Sequence, residues 1–249
     1  MNLKLLIPAG IVALLVGMVA HLPAPVAASW VQSQVPGLRL TGVSGSALKG
    51  RVQYVGMNEI TLEDVHWQLS PLSLLTGRAD VNLRISTDTG NISGDFSQSL
   101  FGNTHIENLN GSASLGWLGG LAGYRFVPLD GLLSLQDVEA DLEKQLLTSA
   151  TGQVLINNAN WLLLKPPVNF GNINGTINSD GKTNSLQILD SDGPLKVEGS
   201  AQLVNNNAYT VNMRVRARAG ADDRLKKLLE QLGKSDTEGW YQIQERGRL

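Results

Sequence analysis

The sequence predicts a mainly β protein, in which an N-terminal transmembrane helix leads into one extended, curved antiparallel sheet with a few short helices. Three observations carry this. One charge-free apolar run stands alone near the N-terminus. Beyond it, apolar and polar residues alternate with period two. Gly, Asn and Asp interrupt the alternation at short intervals.

The apolar run spans Leu5 to Ala20 (LLIPAGIVALLVGMVA). A bilayer core of about 30 Å takes roughly 20 apolar helical residues. Leu3 before the run and Leu22 to Ala28 after it (LPAPVAA) extend its apolar length, and Lys4 can snorkel to the headgroups. The residues expected to sit in lipid are Leu5, Leu6, Ile7, Ile11, Val12, Leu14, Leu15 and Val16. The competing reading is a cleaved signal peptide, with Val26-Ala27-Ala28 as its small-residue cleavage site. Such apolar regions usually run about 7–15 residues, and this one is longer, which favours a retained anchor. Lys4 is the only basic residue before the run and Arg39 the first after it. Positive charge therefore places the short N-terminus in the cytoplasm. The expected organisation is a cytoplasmic stretch over residues 1–4, an anchor over 5–26 and one extracytoplasmic β-rich domain over 27–249.

Within that domain, Leu38 to Val43 has period two. Val65, Trp67 and Leu69 share one face of a strand. Ala79, Val81, Leu83 and Ile85 do the same opposite Asp80, Asn82 and Arg84. Tyr209, Val211, Met213, Val215 and Ala217 alternate with Thr210, Asn212, Arg214 and Arg216. Strict alternation suits a half-buried strand, because successive side chains leave opposite faces. Asn110-Gly111, Asn174-Gly175, Asp130-Gly131, Asp180-Gly181 and Asp192-Gly193 are hairpin signals, so a meander is expected, although such a pair can also mark a bulge inside a strand. Pro71 to Leu75 reads as one helical turn with Pro at its first position. Asp222 to Leu232 reads as a helix: Leu225, Leu228, Leu229 and Leu232 follow i, i+3, i+4, i+7, with acidic residues at the start and Gly233 as the stop. Val138 to Leu146 fits helix and strand alike.

Composition removes several function classes. A formal charge of −2 over 249 residues gives no basic field for nucleic acid. Cysteine is absent, which excludes disulfides, thiolate catalysis and Cys-ligated zinc. His21, His66 and His105 are far apart and lack metal-binding spacing. Around Gly175 and Gly181 the spacing is wrong for a phosphate loop, and no serine sits in a nucleophile elbow. Asp137, Glu139, Asp141 and Glu143 would line one face of a strand, as a solvated row or as a calcium or partner-docking face. Arg214, Arg216 and Arg218 form a basic row on the outer face of a strand, either solvated or meeting lipid headgroups or an acidic partner. No catalytic residue, cofactor site or metal site is predicted.

The order of pieces carries a resemblance. The anchor leads into His21-Leu22-Pro23-Ala24, then Gly42-Val43-Ser44-Gly45-Ser46-Ala47-Leu48-Lys49-Gly50. Val65-His66-Trp67-Gln68-Leu69-Ser70-Pro71-Leu72-Ser73-Leu74-Leu75-Thr76-Gly77 follows, and the chain closes on Gly239 to Leu249. Over essentially its whole length this resembles the type II secretion system protein N family. Leu48 stands where the family often has Trp. The resemblance implies a Gram-negative inner-membrane protein with a periplasmic domain, accessory to export of folded proteins across the outer membrane, with other secretion-system subunits and inner-membrane lipids as partners. Gly42, Gly45, Gly50, Trp67, Pro71 and Gly77 are then the candidate interaction or structural motif. Gly-punctuated strands behind one anchor also resemble AsmA-like proteins, which implies periplasmic lipid binding or transfer as the alternative.

Overall fold

The computed structural model describes residues 21–57, 60–86, 89–99, 102–121, 126–144, 146–204 and 207–248. The expected span Leu5–Ala20 lies outside them. Among the described residues, no helix is long and apolar enough to cross a membrane.

Helix α1 (Ala24–Gln34) precedes strands β1 (Leu38–Thr41), β2 (Ser44–Gly45), β3 (Lys49–Met57) and β4 (Ile60–Leu69). Helix α2 (Pro71–Leu75) leads to β5 (Arg78–Ser86), β6 (Asn91–Ser99) and β7 (Asn103–Ser114). Helix α3 (Leu115–Leu121) leads to β8 (Leu129–Glu143), β9 (Leu146–Trp161), β10 (Val168–Ser179), β11 (Thr183–Asp192), β12 (Leu195–Val204) and β13 (Ala208–Ala217). Helix α4 (Asp223–Glu230) and β14 (Tyr241–Arg248) close the chain. The strands make one 14-stranded sheet running from β1 and β3 through to β14 in sequence order, with β2 beside β3. The meander expected from the alternation is this sheet.

Pairing aligns the apolar residues on one face, since residues directly opposite each other share a side. Val65, Trp67 and Leu69 face Ile85, Leu83 and Val81. Val81 and Ile85 face Phe96 and Ile92, and Phe96 faces Ile106. Leu133 and Leu135 face Ile156 and Val154. The row continues to Val197 opposite Val215 and Met213 opposite Ile243. Helix α4 packs on this face near the C-terminal strands. There Leu225 and Leu229 join Val168, Leu195, Val197, Val215 and Ala221 in the core cluster. Farther back, Leu83, Phe96, Leu133, Leu135 and Ile156 stay half-buried.

Turn signals divide by context. Asp180-Gly181 lies in the β10–β11 connection, and Asp192-Gly193 spans the last residue of β11 and the start of the β11–β12 connection. Asn110-Gly111, Asp130-Gly131 and Asn174-Gly175 instead lie inside β7, β8 and β10, each at a register shift, so the hairpin expectation fails at these three. An extra residue in one strand bends it and raises its twist. Asp64, Asn108, Asp137 and Asn158 take φ of 49°, 52°, 46° and 52° at such shifts. Asx residues tolerate this region because the short polar side chain bonds locally. The neighbouring strand fills the ladder: the Asp137 amide donates to Asn110 Oδ1 at 2.9 Å and the Asn158 amide to Asn172 Oδ1 at 2.8 Å.

Two local readings are settled here. Residues 138–143 are strand, because β8 pairs with β7 on one side and β9 on the other. The C-terminal helix stops at Glu230, earlier than Leu232, which is exposed. Asp222 caps its N-terminus by accepting from the Arg224 amide at 2.8 Å.

Candidate functional site

Of the six residues of the candidate motif, Gly45, Gly50 and Trp67 meet at the β2–β3 loop, Gly42 lies in the link from β1 to β2, and Pro71 and Gly77 bound α2. Gly45 ends β2 and pairs with Gly50. Its φ is +94°, and a β-carbon there would stand 2.5 Å from the Lys49 carbonyl oxygen and 2.8 Å from the Gly50 Cα. Only glycine satisfies both the conformation and the space. Gly50 pairs with Trp67 across β3 and β4. A side chain at Gly50 would overlap the Trp67 ring and stand 2.8 Å from the Ser44 carbonyl oxygen.

Trp67 is half-buried, and its Nε1 donates to the Ala47 carbonyl at 3.0 Å. The loop from Ser46 to Leu48 thus rests on the indole. Two more backbone bonds tie it sideways: the Ala47 amide donates to the Leu22 carbonyl at 2.8 Å, and the Leu69 amide to the Leu48 carbonyl at 2.6 Å. Pro23 bridges Ser46 beside them. The sequence from Leu22 to Ala28, expected as an apolar continuation of the anchor, here turns at Pro23 and starts α1, with Ala24 buried. Pro71 opens α2, and Gly77, φ +75°, ends its turn with its amide donating to the Leu74 carbonyl at 3.3 Å. The β2–β3 loop is thus tied to Leu22 on one side and to Leu69 on the other. Gly42 contributes differently, leaving room for the Gln53 side chain.

The titratable candidates fall elsewhere. His66 Nε2 lies 3.0 Å from Asp64, which also pairs with Arg51. His105 is clamped between strands: Nε2 lies 2.7 Å from Glu107 and Nδ1 2.6 Å from Asp141 of β8. Hydrogen bonds to Glu107 first, and then to Asp141, raise its pKa above the ordinary 6.5. A cleft of about 560 Å³ lies over this clamp, lined by Arg78, Ser97, Thr104, Asp141 and Glu143 among others. The acidic row of β8 is split by its bulge, so Asp137 bonds Asn110 while Asp141 bonds His105. Among the described residues, no group of three or more His, Asp or Glu is arranged to hold a metal ion.

The basic row has a partner that the alternation did not indicate. Trp240, 2 % exposed, lies 4.4 Å from the Arg214 guanidinium, 4.5 Å from that of Arg216 and 5.3 Å from the Lys196 ammonium. Glu198 pairs with Lys196 and Arg214, both at 2.6 Å, and these two cations hold its carboxyl below the usual range. Arg214 and Arg216 are therefore neutralised or stacked rather than simply solvated. A signal was available in Gly239-Trp240, since a large aromatic after a turn glycine needs a surface to cover.

A protein-family comparison matches residues 36–244 to the family described as Type II secretion system (T2SS), protein N. No curated protein and no solved structure matches the chain.

Proposed function

We propose that the chain, which belongs to the type II secretion system protein N family, is an accessory inner-membrane subunit of that secretion machine, working through protein contacts from a periplasmic sheet. The family match over residues 36–244 carries this reading, and membership makes the chain a type II secretion component. The finer placement rests on the sequence. Leu5–Ala20 supplies an apolar span, and the lack of charge from Leu5 to Leu38 suits a chain that leaves a bilayer. The junction around Trp67 gives such a span a rigid attachment to the sheet. The sheet offers partner subunits a polar face and two edge strands, β1 and β14. An anchored subunit searches for partners in two dimensions, which favours assembly without requiring chemistry of its own.

The test is secretion. Deletion should reduce release of folded exoproteins while their passage into the periplasm continues, so that they accumulate there. Normal release from the deletion strain, with altered envelope lipids instead, would favour the lipid-handling alternative. A C-terminal alkaline phosphatase fusion should be active, and N-terminal sequencing that began at Ser29 would replace the anchor with a cleaved signal. His66→Ala, His105→Ala and Asp137→Asn should each leave secretion nearly unchanged. Loss of secretion from one of them, in a folded and abundant protein, would turn the reading toward catalysis or metal dependence.

A further inference from the structure

Helix α2 turns two of its three leucines outward. Its fully buried residue is Ser73 and Leu74 is half-buried, while Leu72 is 73 % and Leu75 50 % exposed. The orientation is enforced by hydrogen bonds. The Ser73 hydroxyl donates to the Ser70 carbonyl at 2.8 Å and accepts from the Asp80 amide at 3.1 Å. The Ser70 amide donates to the Asp80 carbonyl at 2.8 Å, and the Thr76 hydroxyl to the Ser73 carbonyl at 2.8 Å. Rolling the helix to hide its leucines would break this set. A large apolar pair held outward marks a surface that meets something apolar.

Position indicates what it meets. The β2–β3 loop is bonded on one side to Leu22 and on the other to Leu69, the residue before the α2 cap. Helix α2 therefore stands at the same end of the sheet as the point where the apolar run Leu5–Ala20 joins through His21. Helix α1, leaving that point, carries no charged residue and exposes Val26 and Trp30 at i, i+4, with Trp30 68 % exposed, and Leu22 is exposed just before the helix. Tryptophan with aliphatic neighbours is the pattern of a membrane–water interface. Exposed Lys49, in the strand that follows the loop, supplies a cation for anionic headgroups.

We propose that α2 is a second membrane contact beside the anchor, with Leu72 and Leu75 seated at the boundary between headgroups and acyl chains of a phospholipid bilayer. The proposal rests on Leu5–Ala20 spanning that bilayer. Two contacts fix the tilt of the sheet on the membrane, whereas a lone span can tilt in the bilayer and carry the sheet with it.

The absence of cysteine makes the test direct. The full chain is reconstituted in vesicles of phosphatidylcholine and phosphatidylglycerol, with single cysteines at Leu72→Cys, Leu75→Cys, Leu189→Cys or Leu15→Cys carrying an NBD fluorophore. Leu189 is the control, 63 % exposed on β11. Labels at 72 and 75 should shift to the blue and lose most of their emission to lipids spin-labelled near the headgroup, while the label at 189 stays bright. Labels at 72 and 75 as unquenched as that at 189 would overturn the proposal. The label at 15, read against lipids spin-labelled deep in the acyl chain, reports on the span alone: quenching there with none at 72 and 75 leaves the anchor standing and removes only the α2 contact, whereas no quenching at 15 by the deep label removes the anchor reading itself.

Discussion

The indole of Trp67 occupies the space that a side chain on Gly50 would need, across the β3–β4 pair. This single overlap explains why a glycine and a tryptophan stand opposite each other, and why the β2–β3 loop has a flat support. Trp67 covers Gly50 below the loop, and its Nε1 holds the Ala47 carbonyl above.

Gly50→Ala should therefore cost about 1–3 kcal/mol, as for overpacking elsewhere. In a double-mutant cycle with Trp67→Ala the combined cost should fall short of the sum, because removing the ring relieves the larger of the two overlaps and leaves only the Ser44 carbonyl oxygen close to the methyl group. Gly45→Ala should behave otherwise. Its φ of +94° and the Lys49 carbonyl oppose a side chain regardless of Trp67, so the two losses should add. Urea melts of the three single and two double variants decide it; additive losses for Gly50 and Trp67 would mean the ring does not hold that position.

How much was legible follows from what each signal measures. Alternation reports which face a residue takes, and it placed Val65–Leu69, Ala79–Ile85 and Tyr209–Ala217 in strands that the structure contains. A Gly after Asn or Asp reports only a permitted backbone conformation. Bulges and hairpins use the same conformation, so Asn110-Gly111 and Asp180-Gly181 look alike until the strands pair. Val138–Leu146 is ambiguous in sequence because it runs past the end of β8 at Glu143 into the first residue of β9, so one period does not hold across it. For the candidate site, the sequence marked Gly45, Gly50 and Trp67 but not their contact, nor the bond from Ala47 to Leu22. Those depend on register, which no local pattern states. Trp240 was missed because its partners, Lys196, Arg214 and Arg216, come from two other strands.

Helix α4 gives a graded test of burial. Leu225 is 0 % exposed and Leu228 only half-buried. Leu225→Ala should cost about 2–5 kcal/mol, in the range of core truncations. Leu228→Glu should cost less than Leu225→Glu, because a charge at the helix flank can reach water and one beneath it cannot. Thermal melts that ranked the two Glu variants the other way would put the wrong stripe against β13.

His105 links stability to pH. Its folded pKa lies above the unfolded value of about 6.5, so the protonated ring favours the folded state. That contribution is complete below about pH 6.5 and is lost as pH rises through the raised folded value. Denaturation midpoints of the wild type should fall over this window relative to His105→Asn, which keeps hydrogen bonding but cannot take the proton. Parallel profiles for the two proteins would show that Glu107 and Asp141 do not stabilise the charged ring.

Trp240 should contribute more than any single cation around it. It is nearly enclosed, so Trp240→Ala removes a large buried surface and should cost about 3–5 kcal/mol. Arg216 stacks on the ring, and its Nη1 lies 3.5 Å from the Glu238 carbonyl. Arg216→Ala should therefore cost about 0.5–1 kcal/mol, the usual range for such a contact near the surface. In the Trp240→Ala background the Arg216 change should become nearly neutral, because the ring is what it acts on. Arg214 differs, since it also pairs with Glu198 and that pair outlives the ring. Arg214→Ala should retain a residual cost without Trp240, one that shrinks as salt is added. Equal behaviour of the two arginines in the tryptophan-free background would show that Glu198 contributes nothing and that the row is held by the indole alone.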